Sequence, residues 1–182
     1  AHLFSFGLLA VTAWLVVYDV ARRLVRSSGL PRFIAVGFLA DYAGLENRMQ
    51  RKYAVEIQPV SINKDSAALS LGARLIKAKG CTECHGSDLG GKIFIDDQAL
   101  GLLVATNLTK GKGGRPKDYG TQDWVLALKH GLKRDCTPLL FMPAHEFTLL
   151  SEQDMGAIIS YCSTVPNVDR QLPENNLGPL AK

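Results

Sequence analysis

"GCTECHG" occupies residues 80–86, with Cys81 and Cys84 two residues apart and His85 directly after. Three kinds of chemistry use two cysteines at this spacing. A structural zinc site needs four ligands, usually as two close pairs, and the other cysteines, Cys136 and Cys162, form no second pair in the sequence. A redox dithiol should follow a strand and open a helix within a βαβ pattern, and here the motif closes a predicted helix instead. The third is the C-x-x-C-H signature of covalent haem attachment. Two thiols at this spacing add to the two vinyl groups, and the next residue sets an imidazole beneath the iron. The motif is read as that third kind, with Cys81 and Cys84 as attachment points and His85 as an iron ligand.

The chain upstream supports this reading. A helix is predicted from Ser66, with Asp65 or Ser66 as its cap, and Leu69, Gly72 and Ile76 share one face. Gly80 stops it just before the motif. Residues 52–65, "KYAVEIQPVSINKD", contain Pro59 and read as an extended linker.

A low-spin electron-transfer haem needs a sixth ligand, and Met opposite His raises the potential. There are three methionines. Met49 lies in the charged "ENRMQRKY", and Met155 falls with Ile158, Ile159 and Cys162 at helical spacing, a core pattern. Met142 lies in "TPLLFMPAHEF", where Pro138 and Pro143 exclude regular helix and stiffen the loop. Met142 is the expected distal ligand, and His145, three residues on, is the alternative. His130 reads as a packing residue on "TQDWVLALKHGLK", and His2 belongs to the N-terminal segment.

That segment has a composition of its own. Leu3 to Tyr18 carries no charge and is followed by Arg22, Arg23 and Arg26. Sixteen helical residues span about 24 Å, a little short of a hydrocarbon core of about 30 Å, and flanking residues can extend them. A second apolar stretch runs from Phe33 to Leu45, interrupted by Asp41. The reading is a membrane anchor of one or two helices over residues 1–46. The +4 formal charge resides mostly in residues 1–60, which carry seven Lys/Arg against four Asp/Glu. Residues 61–182 are close to neutral, with fourteen against thirteen, which argues against nucleic acid as a partner.

The pieces "SLGARLIKAKGCTECHGSDLGG", "ATNLT" and "FMPAHEFTLLSEQDMGAIISYCSTVP" together resemble the class I mono-haem c-type cytochromes, over about residues 66–170. The resemblance implies an all-α cytochrome c fold around one covalent haem c, preceded by an N-terminal transmembrane helix or helical hairpin. It implies that the first helix crosses the last, with Gly72 admitting Tyr161. The longer middle segment looks like the membrane-associated cytochromes of bacterial respiratory chains and dehydrogenases. Those are electron carriers rather than enzymes, with other redox subunits as partners, and their haem is attached outside the cytoplasmic membrane. That location favours a hairpin anchor. The domain plan is then an anchor (1–46), a linker (47–65), a haem domain (66–170) and a C-terminal tail (171–182).

In such an oxidising compartment Cys136 and Cys162 either bridge or remain buried thiols. "TKGKGGRPKDYG" at 109–120 is expected to be a flexible solvated loop; a docking patch for an acidic partner is the alternative. A function from another class is a haem enzyme or gas sensor with an open or labile sixth position.

Overall fold

The computed structural model describes residues 17–23 and 32–181. The chain divides into two units, residues 1–47 and 48–182. In the first, residues 17–23 are helical and Arg23 pairs with Asp19 at 2.9 Å on the exposed surface. Helix α1, Arg32–Gln50, begins there and contains the second apolar stretch. No helix among the described residues is long and apolar enough to cross a membrane. The expected second crossing therefore finds no support in α1, where Asp41 and the charged end "ENRMQ" dilute the apolar run. Most of the Leu3–Tyr18 stretch lies outside the described residues.

In the second unit two helices form the frame. Helix α2, Ser66–Ala78, starts where Asp65 accepts a hydrogen bond from the Ala68 amide at 2.7 Å. Helix α5, Glu152–Thr164, starts where Ser151 accepts from the Asp154 amide at 3.1 Å. The two pack at Gly72, as the resemblance implies. A Cβ placed there would sit 2.2 Å from the Ala157 carbonyl oxygen and 2.7 Å from the Tyr161 Cβ. Only a hydrogen fits between these backbones. Met155, Ile158, Ile159 and Cys162 are buried, so the predicted stripe is the core face of α5.

Between them run the short helix α3, Cys81–His85, and helix α4, Thr121–His130. Gly80, at φ 69°, makes the left-handed turn from α2 into α3. Trp124, Val125 and Leu128 of α4 join Ile76, Phe147 and the α5 stripe in one apolar core.

The all-α expectation needs correction. Lys92–Asp97 and Gly101–Ala105 form an antiparallel hairpin, β1 and β2, and Asn176–Leu177 adds a third strand, β3, to β2. The hairpin is mixed in sequence: "KIFIDDQALGLLVA" has β-branched residues but also a turn in which the Asp97 carboxylate accepts from Ala99 and Leu100, both at 2.8 Å.

Three segments outside the helices are held against the body. Residues 51–65 are extended, as Pro59 suggests, yet they are docked rather than free. Ile57, Val60 and Ile62 pack on the core, and Gly156 of α5 leaves room for the Ser61 carbonyl, 2.4 Å from where a Cβ would stand. The loop 109–120 is clamped rather than flexible. Asn107 and Thr109 are fully buried, and the Asn107 side chain accepts from the Thr109 amide and hydroxyl at 2.9 and 2.8 Å. Its amide nitrogen donates to the Val168 carbonyl at 2.7 Å, so "NLT" ties the middle of the chain to the segment after α5. The tail after residue 170 is likewise part of the body, through β3 and through Asn175, whose side chain accepts from the Val104 amide.

Candidate functional site

A cleft of about 1050 Å³, its open mouth included, lies among these elements. Cys81, Cys84 and His85 line it from α3. The strand end Val104–Thr106 and the α4 residues Trp124 and Leu128 form further walls. The loop Leu139–Pro143 closes another side, with Ile158 and Cys162 of α5 at the back. All four residues read from the sequence as haem contacts, Cys81, Cys84, His85 and Met142, therefore line one cavity.

His85 is oriented by a specific contact. Its Nδ1 lies 2.8 Å from the Thr106 carbonyl oxygen. A carbonyl only accepts, so Nδ1 carries the proton and Nε2 keeps its lone pair for a metal. Burial lowers the pKa of the imidazole, partly opposed by the Thr106 carbonyl. The neutral ring is the form that ligates iron.

The Met142 loop is bonded to the segment before it on one side and closes in a local turn on the other. Leu139 donates to the Gly131 carbonyl at 2.7 Å, and Leu132 bridges to Pro138. Beyond Met142, the Ala144 amide turns back to the Met142 carbonyl at 2.8 Å and opens a short 3-10 helix, Ala144–Glu146. His145 stands exposed on that turn and does not line the cleft. His130, at the end of α4, does not line it either. Met155 is in the core, Met49 is half-buried on α1, and His2 lies outside the described residues.

These residues fit a covalent haem. The walls are apolar, two thiols at C-x-x-C spacing open into the space, and one imidazole with a free lone pair and one thioether reach it. Cys81 is partly buried, and burial raises its pKa. Haem, once attached, supplies a one-electron centre; the chain supplies attachment, ligation and a water-poor cavity.

Several contributors were missed by the sequence reading. Cys162 lines the cleft next to the core face of α5, and burial pushes its thiol up to about 12. Cys136 and Cys162 form no disulfide with each other. Tyr119 and Trp124, packed edge to face at 5.5 Å, also line the cleft, and Asn175 reaches its mouth from the tail. Arg115, expected in the exposed basic loop, is 8% exposed and lies over the Trp124 ring at 4.5 Å. The W-x-x-A-L-K-H pattern of α4 carried a signal for Trp124 as a core residue; nothing local in "GGRPK" signalled a buried guanidinium.

Comparison with known proteins agrees with this geometry. Residues 69–166 match the cytochrome c family, and residues 1–47 match a domain of unknown function (DUF8744). The chain is 28% identical over 133 residues to the fructose dehydrogenase cytochrome subunit of Gluconobacter japonicus, covering 70% of this chain and 27% of that protein. It is 29% identical over 102 residues to the gluconate 2-dehydrogenase cytochrome c subunit of Pantoea cypripedii, covering 53% of this chain and 23% of that one. Similarity to the cytochrome c subunit of the quinone alcohol dehydrogenase of Gluconobacter oxydans (strain 621H) is 28% over 102 residues, 53% of this chain and 21% of the relative. The chain thus spans about a quarter of the length of these relatives. With the family match covering more than half of the chain, and an apolar cleft that gathers both thiols, the imidazole and the thioether, this protein belongs to the cytochrome c family and carries covalent haem c.

Proposed function

We propose that the chain is an electron relay: its haem, joined to Cys81 and Cys84 and ligated by His85 and Met142, passes single electrons within a dehydrogenase complex. The observation that carries this reading is the cleft itself. It holds His85, with Nε2 free, and Met142, on a loop bonded back to Gly131 and Leu132, within one apolar space. A ligand pair fixed in this way changes little between oxidation states, which suits transfer rather than bond-making at iron. The names of the relatives, cytochrome subunits of fructose, gluconate and alcohol dehydrogenases, support a dehydrogenase as the electron source.

The proposal extends to location: residues 1–46 attach the chain to the cytoplasmic membrane, with the haem domain on its outer side. The uncharged run Leu3–Tyr18 supports attachment. The outer side rests on the family resemblance.

Optical spectra of the purified haem protein test the ligation. The expected result is a ferric near-infrared band from the Met–iron bond, a reduced spectrum unchanged by carbon monoxide, and loss of both properties in Met142→Ala. A wild-type protein that lacks the band and binds carbon monoxide readily would remove Met142 from the iron and make the chain a sensor or enzyme. A band that persists in Met142→Ala would shift the ligand to another residue.

A further inference from the structure

We infer that the hairpin β1–β2 braces both iron ligands at once, with Phe94 as a positioning residue for Met142; the inference rests on the ligation proposed above. The hairpin is rooted on His85. Just before β1 the Gly91 amide donates to the His85 carbonyl at 2.7 Å, and just after β2 the Thr106 carbonyl meets His85 Nδ1 at 2.8 Å. Between these roots Phe94 stacks on Phe141, with ring centres 5.3 Å apart and planes 25° from parallel. Phe141 lines the cleft and directly precedes Met142.

The shape of the strand allows this contact. Ile93 pairs with Val104 and Ile95 with Leu103, so Phe94 is an extra residue that no residue of β2 opposes. A bulge of this kind bends its strand and re-aims one side chain. Phe94 is 47% exposed, so burial in the core does not account for its place. Its ring faces the segment of the cleft wall that carries the thioether. The backbone bonds of that segment run to Gly131 and within its own turn, so the ring stack adds a tie from another part of the chain.

The consequence lies in how firmly the sulfur is held. A thioether is a soft, neutral ligand, and a nitrogen base competes well with it on oxidised iron. Which ligand prevails then depends on what releasing the loop costs. An aromatic pair at this separation contributes beyond its buried area, and that contribution is lost when the loop swings away. Because the same hairpin leads into Thr106, one element sets both ligands, where two separate walls could drift apart.

The test uses the full-length haem protein with Phe94→Ala, Phe94→Leu and Phe94→Tyr. Ile93→Ala is the control, since Ile93 is the strand neighbour and is similarly exposed, at 45%. Ferric protein is titrated with imidazole while the near-infrared Met–iron band is followed. Phe94→Ala is expected to bind imidazole about two- to tenfold more tightly than wild type, the worth of one aromatic pair. Phe94→Tyr, which keeps the ring, and Ile93→Ala should both stay near wild type. Phe94→Leu also lacks the ring and gives the same reading if Phe94→Ala does not accumulate. Wider access alone would speed binding and release together and leave the affinity unchanged, so the equilibrium separates a looser loop from an open mouth. An unchanged affinity in the variants without the ring overturns the inference. Equal tightening in Ile93→Ala does so too, because it would mean a general loosening of the hairpin. If wild type shows the band and the ring variants are silent, the relay function stands and only the brace falls; a wild type without the band removes both.

Discussion

Gly72 shows how much one atom decides. The backbone of α2 meets that of α5 at this residue, and a methyl group would collide with a carbonyl oxygen and a Cβ, neither of which is a flexible chain end. Gly72→Ala is therefore expected to destabilise the haem protein by about 1–3 kcal/mol, the usual cost of overpacking a filled core. Thermal melting followed in the haem band would register it as roughly 3–5 °C for each kcal/mol. A melting point within a degree of wild type would mean that the helices separate freely. The residues alone placed this glycine on the apolar face of a capped helix; its close approach to the last helix was legible only through the family resemblance. Arg115 was not legible in the same way. Its burial depends on carbonyls at Leu108 and Cys162 and on a ring at Trp124, which are brought together only by folding.

At the scale of elements, the segment before α2 departs most from its expected role. Val55 and Ile57, then Val60 and Ile62, are the less exposed residues of an otherwise exposed stretch, a two-residue alternation on either side of Pro59. This pattern lays one edge of an extended chain on the core without pairing it to a sheet. Its place on α5 is reserved by Gly156, as α2's is by Gly72. Gly156→Ala sets a methyl against the Ser61 carbonyl and should lift the strap while leaving α2 and α5 in contact. The expected outcome is faster tryptic cleavage at Arg51, Lys52 or Lys64 with an unchanged haem spectrum. Cleavage at the wild-type rate would show that the strap tolerates the methyl. Helices α2 and α5 were readable from caps and periodicity. The hairpin β1–β2 was hidden because its alternation is broken by a register shift between Ile93 and Ile95.

For the whole molecule, the chain after α5 acts as a clasp across distant parts of the sequence. Arg170 donates to both oxygens of Asp88, at 3.2 and 2.8 Å, and to the Gly91 carbonyl at 2.9 Å, joining the tail to the segment that follows the C-x-x-C-H motif. The arginine side chain, then the Gly90 amide, hold the Asp88 carboxyl below the usual carboxylate range. A depressed folded-state pKa gives stability that is present above the unfolded value near 3.9 and lost as pH falls through the folded one. Both partners are about two-fifths exposed, so solvent limits the contribution to under about 1 kcal/mol. Asp88→Asn should therefore melt slightly below wild type at pH 7 and draw level with it at pH 2–3. A gap of the same size at both pH values would assign the loss to packing rather than charge.

What the sequence determined alone was chemistry carried by neighbours in the chain. The C-x-x-C-H spacing, the capped amphipathic helices on either side of the core and the proline-bounded Met142 loop all work within a few residues of themselves, so local order was enough to read them. The tertiary structure decided what depends on groups far apart in sequence: which side chains share the cleft, the docking of residues 51–62 and of the tail, and the burial of Arg115. Burial and charge compensation are properties of surroundings, and a residue acquires its surroundings only when the chain closes on itself.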